Sequence, residues 1–78
     1  MPRREPSLPG STSWEAVVGD NVRLVRKSKN MTQAELATAA GMDLRYLGSI
    51  ERGGGNPSLA VLGRLAKALG VHPSEQNQ

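Results

Sequence analysis

The chain has 78 residues and no cysteine, so it has the size of one small domain and offers neither a disulfide nor a thiolate zinc site. Ten Lys and Arg against seven Asp and Glu give a net charge of +3 and a pI near 10.0, which favours an anionic partner such as a phosphate backbone or a membrane surface. The aromatic residues are Trp14 and Tyr46 alone, too few for the stacking platform of a single-strand binder.

Signals for catalysis, metal binding and membrane targeting are missing from the sequence. The acidic residues are scattered singly, and the single histidine, His72, lies in a polar segment. Arg3 and Arg4 are not followed by an apolar run, so the N-terminus matches neither a secretory signal nor a membrane span. We therefore expect a cytoplasmic protein that is not an enzyme and needs no metal or cofactor.

The composition divides the chain into three parts. Residues 1–12 contain three prolines around one large aliphatic side chain, Leu8, a composition typical of a flexible tail. Residues 13–72 carry the helical patterns and are predicted to form the folded domain. Residues 73–78 are polar and are expected to be a short tail or the start of a fifth helix.

The first helix is predicted from about Ser13 to Lys29, because Thr12 and Glu15 have the spacing of a capping box. We interpret Trp14 as a core or edge anchor rather than as a contact for a partner. One face of this helix is apolar at helical spacing, and its residues are Trp14, Val18, Val22 and Val25.

Two short helices come next in the chain. The second begins with a capping box formed by Thr32 and Glu35 and ends at Gly41, and the third is capped by Asp43 and ends at the glycine run 53–55.

The fourth helix is predicted between Ser58 and Gly70, and its broad apolar face makes it the expected centre of the core. The fold class is therefore all-α, a compact bundle of four to five helices. The apolar face comprises Leu59, Val61, Leu62, Leu65, Ala66 and Leu69.

Two short helices joined by a glycine-containing turn make the helix-turn-helix unit, whose second helix enters the major groove of DNA. Gly41 allows the turn, and Ala37 is the small residue where the two helices touch. The apolar positions that this unit needs are Leu36, Ala40, Met42, Leu47 and Ile50.

One side of the third helix is predicted to face the groove when roughly 100° is counted per residue from an inward Leu47. Arg45 is suited to a bidentate contact with guanine and Ser49 to several base edges, so both are candidates for base readout. Leu44 lies at the boundary of this side. Its side chain either contacts an apolar base edge such as a thymine methyl or is partly buried in the protein. The outward residues are Arg45, Gly48, Ser49 and Arg52.

Phosphate contacts are predicted around the rim of this helix. Gln33 begins the second helix, where its amide and the free backbone N–H groups can meet one phosphate. Arg52 and Asn56 come at the end of the third helix and in the loop after it. Tyr46 has two equal interpretations: its hydroxyl contacts the phosphate backbone, or the residue packs on the core. Glycines 54–55 leave only backbone amides for contacts from the loop.

Glu51 is predicted to point inward, where an unpaired carboxylate would be costly, so it requires a basic partner. Arg26 in the first helix is the candidate, and the pair is expected to be mainly structural.

The sequence resembles the phage-repressor and Xre family of helix-turn-helix regulators over about residues 18–71, and more narrowly its small stand-alone regulators and restriction-modification controller proteins. The resemblance implies base contacts at Leu44, Arg45 and Ser49, a phosphate contact at Gln33, the Arg26–Glu51 pair, and dimerisation through the fourth helix and the segment after it. The matching residues are 32–37, Gly41, Tyr46, 50–53, 56–59 and 65–71.

We therefore expect a sequence-specific binder of double-stranded DNA, by default a repressor, that acts as a homodimer on an operator. Two alternatives remain open. One is an antitoxin-like protein that also holds a toxin, and the other is a protein-interaction module without DNA binding. Attachment to a membrane is disfavoured because the first helix mixes acidic and basic residues on its polar face.

Overall fold

The computed structural model describes residues 13–70, which form four α-helices and no strand. The predicted all-α class is confirmed. The expected tail at 1–12 and the polar segment at 73–78 lie outside the described residues. None of the helices in residues 13–70 is long and apolar enough to span a membrane. The helices are α1 (Trp14–Ser28), α2 (Gln33–Ala40), α3 (Leu44–Glu51) and α4 (Leu59–Leu69).

The start of α1 differs from the prediction. Ser13 is the N-cap, and its hydroxyl accepts a hydrogen bond from the backbone N–H of Ala16 at 3.3 Å. The predicted capping box of Thr12 and Glu15 is therefore wrong, because the helix starts one residue later and places Ala16 at the third helical position. Two adjacent residues that both favour N-caps left the sequence ambiguous at this point.

The ends of α2 agree with the prediction. The Thr32 hydroxyl accepts from the backbone N–H of Glu35 at 3.0 Å, and the Glu35 carboxylate accepts from the backbone N–H of Thr32 at 2.8 Å. Gly41 ends the helix in the left-handed conformation, with φ of 68°. The backbone N–H of Met42 then donates to the carbonyl of Ala37 at 2.9 Å, which closes the turn toward α3.

The last two helices also begin at their predicted caps. The Asp43 carboxylate accepts from the backbone N–H of Arg45 at 3.0 Å, and the Ser58 hydroxyl accepts from the backbone N–H of Val61 at 3.2 Å. These short-range bonds fix where α3 and α4 start.

The core is centred on α2 and α3 rather than on α4, which corrects the prediction. Helix α3 packs against both α1 and α2, whereas α4 packs mainly against α2. Leu65 and Leu69 are buried, but Leu59 is 86% exposed because it lies at the first turn of α4, and Trp14 at the start of α1 is 51% exposed. Trp14 is thus not a core residue. The largest fully buried side chains are Leu36, Leu47, Ile50 and Leu65.

Helices α1 and α3 approach each other most closely at Gly19. A Cβ atom at this position would overlap the carbonyl oxygen of Ile50 and would lie 3.1 Å from the carbonyl oxygen of Glu51. Gly19 is buried inside α1, where a glycine is unfavourable for the helix itself. The close crossing of the two helices explains why this position has no side chain.

Candidate nucleic-acid interface

The first turn of α3 presents an exposed face that the rest of residues 13–70 leaves open. Leu44 is 47% exposed, and Arg45 is exposed as well. Within the described part of the chain the Arg45 guanidinium has no hydrogen-bond or ion-pair partner. Two of the three residues predicted for base readout therefore lie side by side in solvent.

Gly48 does not belong to this exposed face, contrary to the prediction from the helical wheel. It is buried, and a Cβ atom built on it would lie 3.4 Å from Nη1 of Arg52. Arg52 lies one turn further along the chain, so its long side chain folds back over the glycine. Angular position alone could not show this, because the cover comes from a neighbouring side chain.

Ser49 lies at the edge of the exposed face and is half-buried. Its hydroxyl oxygen is 3.4 Å from the position of a Cβ atom on Gly54 and 3.3 Å from that on Gly55. The backbone N–H of Gly54 also donates to the carbonyl of Ser49 at 2.9 Å. The glycine loop therefore lies directly against Ser49.

The loop after α3 turns through three residues with positive φ: Gly53 at 92°, Gly55 at 73° and Asn56 at 42°. Tyr46 is half-buried and packs on the core, and its ring lies 3.3 Å from the Cβ position of Gly55. Asn56 is exposed, as is Arg52. The structure therefore places Arg52 and Asn56 in solvent next to α3 and the Tyr46 ring against the core and this loop.

Arg26 and Glu51 form a bidentate ion pair between α1 and α3. Nε of Arg26 donates to Oε2 of Glu51 at 2.7 Å, and Nη2 donates to Oε1 at 2.9 Å. The two side chains are only 9% and 3% exposed. Nη1 of Arg26 donates to the carbonyl of Met31 at 2.9 Å, so the pair also holds the loop that leads into α2. Arg26 is consequently too buried to face a phosphate.

The ion pair changes the acidity of both partners. Burial acts to raise the pKa of Glu51, but hydrogen bonds from Arg26 and Gln33 and the charges of Arg26 and Arg23 outweigh it and hold that pKa below its ordinary value. The hydrogen bond to Glu51 raises the pKa of Arg26 despite its burial. Both groups are therefore charged in the folded protein at neutral pH.

Gln33 belongs to the same cluster, which sequence reasoning missed. It is the first residue of α2 and is half-buried, and its Nε2 donates to Oε1 of Glu51 at 3.0 Å. The signal available in the sequence was the inward Glu51, since a buried carboxylate accepts more hydrogen bonds than one arginine supplies. The start of α2 is thereby tied to the end of α3.

Arg64 of α4 is a second residue that the sequence did not single out. Its Nε donates to the carbonyl of Ala40 at 3.2 Å, and its Nη2 donates to the carbonyl of Gly41 at 3.1 Å. These carbonyls lie at the C-terminus of α2, where a positive charge is favourable. Arg64 thus fastens the turn between α2 and α3 to the fourth helix.

A pair of short helices joined by a closed glycine turn, with the second helix exposed at its start, defines the class of helix-turn-helix DNA-binding proteins. The family described as "Helix-turn-helix" matches residues 22–76. The chain belongs to this family. It is a DNA-binding transcriptional regulator of the phage-repressor and Xre type, and its relatives are regulators rather than enzymes.

Individual relatives agree with this assignment. The HTH-type transcriptional regulator y4dJ of Sinorhizobium fredii is 44% identical over 55 residues, which cover 70% of this chain and 71% of the relative. The immunity repressor protein of Bacillus phage phi105 is 42% identical over 57 residues, 73% of this chain but only 40% of the repressor.

A solved structure with the same architecture is that of the restriction-modification controller protein C.AhdI from Aeromonas hydrophila. The TM-score is 0.73 at 38% sequence identity, and the match covers 78% of this chain and 92% of the controller protein. The likeness therefore extends over nearly the whole of this controller protein.

Proposed function

We propose that the protein is a repressor that binds a two-fold symmetric operator as a homodimer, with one α3 helix in the major groove of each half-site. The observation that carries this proposal is the exposed start of α3, where Leu44 is 47% exposed and the Arg45 guanidinium has no partner within residues 13–70. The name of the phage relative, an immunity repressor, supports repression over activation.

Base readout is assigned to Arg45, Leu44 and Ser49. The Arg45 guanidinium presents parallel N–H donors that match O6 and N7 of guanine, and Leu44 offers an apolar surface for a thymine methyl group. Ser49 is half-buried against the glycine loop, so we expect it to contact base edges only at the rim of the groove.

Phosphate contacts are assigned to the start of α2 and to the loop after α3. The backbone N–H groups of Gln33 and Ala34 in the first turn of α2 have no hydrogen-bond partner within residues 13–70, whereas Thr32 caps that of Glu35. They carry the positive end of the helix dipole, so Gln33 stands where a phosphate is favoured. Arg52, the C-cap residue of α3, and Asn56, in the loop after it, are both exposed. Tyr46 can contact a phosphate only through its hydroxyl, because its ring packs on the core.

The dimer is supported by the exposed Leu59 at the start of α4. A leucine that is 86% exposed is a natural contact for a second copy, since a two-fold interface uses the same patch on both subunits. One domain alone makes few phosphate contacts, and helix-turn-helix dimers place their reading helices about one turn of DNA apart.

Selection of binding sites from random double-stranded DNA tests the proposal. We expect recovered sequences to contain two inverted half-sites about 10 base pairs apart, centre to centre. The affinity for the selected site should fall with salt at a slope that reports the number of phosphates neutralised. A reporter gene under this site should be repressed. Recovery of no preferred sequence would favour an interaction module and reject the proposal.

A further inference from the structure

We propose that the buried Arg26–Glu51 pair positions the side-chain amide of Gln33 for its phosphate, so that the grip on the DNA backbone and the placement of the reading helix depend on one carboxylate. This inference rests on the proposed function, because it assigns a cause to one of the phosphate contacts. It makes Glu51 a positioning residue for DNA binding, although Glu51 is buried and cannot touch DNA itself.

The bond from Gln33 to Glu51 uses only one of the two hydrogens of the side-chain amide. Nε2 carries two hydrogens, and one of them is donated to Oε1 of Glu51. The second hydrogen remains available beside the backbone N–H groups at the start of α2. The bond to Glu51 therefore selects one orientation of a long and otherwise mobile side chain before DNA arrives, and it reduces the ordering that binding must impose.

Arg26 makes this arrangement compatible with a phosphate. A lone carboxylate behind Gln33 would repel the DNA backbone, but the bidentate guanidinium neutralises it at 2.7 and 2.9 Å. The same two bonds hold the carboxylate plane, and Oε1 serves Arg26 and Gln33 at once. The orientation of the Gln33 amide thus depends on the geometry of the pair between α1 and α3.

The arrangement also joins three elements at one point. Arg26 lies in α1, Glu51 is the last residue of α3, and Gln33 is the first residue of α2. A change in the position of α3 relative to α2 would break the bond at 3.0 Å. The phosphate contact is therefore formed only when the reading helix has its proper position.

A double-mutant cycle on the affinity for the selected operator tests the inference. We expect Glu51→Ala and Gln33→Ala each to weaken binding about tenfold, the size of one charge-assisted hydrogen bond. The double variant should bind about as well as the weaker single variant, because both changes remove the same contact. If the two fold-changes multiply instead, Glu51 does not act through Gln33 and the inference is wrong.

The control variant is Asp20→Asn, which removes an acidic charge from the exposed side of α1 and leaves Gln33 untouched. It should show no coupling with Gln33→Ala. All affinities are compared at a temperature where circular dichroism shows every variant folded, so that loss of folded protein does not count as loss of binding.

A measurement on the unaltered protein decides between the outcomes if Glu51→Ala does not fold. In DNA-free protein, NMR of the Gln33 side-chain amide should show one Nε2 proton shifted downfield by the bond to Glu51, together with restricted motion of the amide, as expected for a group held by a buried carboxylate. An amide with the proton shifts and the free motion of a solvent-exposed glutamine would overturn the inference. Because no DNA is present, this result does not depend on the proposed function, whereas failure to select any operator would reject the proposed function alone.

Discussion

Glu51 accepts hydrogen bonds from two atoms of Arg26 and one of Gln33, in a site that is almost closed to solvent. Loss of either charged partner leaves the other buried and unpaired, at a cost of about 3–5 kcal/mol. The pair is therefore weak evidence for a net gain in stability but strong evidence for a fixed geometry between α1 and α3.

Acid should weaken the fold through Glu51. Its pKa is lowered in the folded state, so its contribution to the free energy of unfolding is complete above the ordinary glutamate pKa and is lost as pH falls through the lower, folded value. Urea unfolding from about pH 7 to about pH 2 should show the wild type and Glu51→Gln converging at the acid end. Parallel profiles for the two proteins would contradict this assignment.

Arg45→Ala should relax the preference at one base position of the operator and leave the fold intact, because the side chain is exposed and unpartnered within residues 13–70. The expected loss at that position is about 1–3 kcal/mol. Gln33→Ala is the matched comparison, and it should weaken all sequences alike. Fluorescence anisotropy on a panel of operator variants measures both effects. If neither change alters binding, the assigned face of α3 is wrong.

Gly19→Ala should destabilise the protein by about 2 kcal/mol, because the new methyl group meets the rigid backbone carbonyl of Ile50 and overpacking of this kind outweighs the better helix propensity of alanine. Gly63→Ala is the control. Gly63 lies inside α4 with no atom within 4 Å of a new Cβ, so the same change should stabilise by about 0.5–1 kcal/mol. Denaturant midpoints report both values, and equal effects at the two glycines would refute the close crossing.

At the scale of the helices, the turn between α2 and α3 depends on a side chain from α4. Removing the Arg64 guanidinium should cost about 1 kcal/mol, because the carbonyls of Ala40 and Gly41 lose their partner. Arg64→Ala is compared with Lys67→Ala, an exposed position one turn away, in urea unfolding. If Arg64→Ala lowers the free energy of unfolding no more than Lys67→Ala does, the hydrogen bonds of Arg64 do not stabilise the turn.

The helix ends were predictable because their signals are local. Thr32 with Glu35, Gly41, Asp43 and Ser58 act on backbone groups within a few residues, so spacing in the sequence is enough to find them.

The remaining features depend on contacts between distant residues. These features are the close approach of α1 and α3 at Gly19, the hydrogen bonds of Arg64 to the end of α2, and the bond from Gln33 to Glu51. They join residues that are 18 to 32 positions apart. Similarly, the helical wheel predicted that Gly48 is exposed, but the Arg52 side chain covers it. Angular position predicted which side of α3 is exposed, but it could not show which neighbours lie over that side.

At the scale of the whole molecule, the exposed apolar residues limit where a second copy can dock. Trp14, Val17 and Leu24 are about half exposed on α1, whereas Leu59 on α4 is 86% exposed.

Leu59→Lys should shift the protein from dimer to monomer in analytical ultracentrifugation and weaken operator binding, since the two half-sites would no longer be held together. The control is Leu24→Lys on α1, which should leave the dimer intact. A dimer that survives Leu59→Lys but dissociates with Leu24→Lys would place the interface on α1.

The convergence of Gly19, Arg26 and Gln33 on the last turn of α3 bears on how the reading helix moves. The last turn of α3 cannot open locally without breaking these contacts, because residues of both α1 and α2 pack against residues 50–51. The hydrogen-bonded amide protons in the last turn of α3 should then exchange with solvent only when the whole domain unfolds. The reading helix would thus reach the groove already formed, and the side chains of its first turn are the part that adapts to the operator.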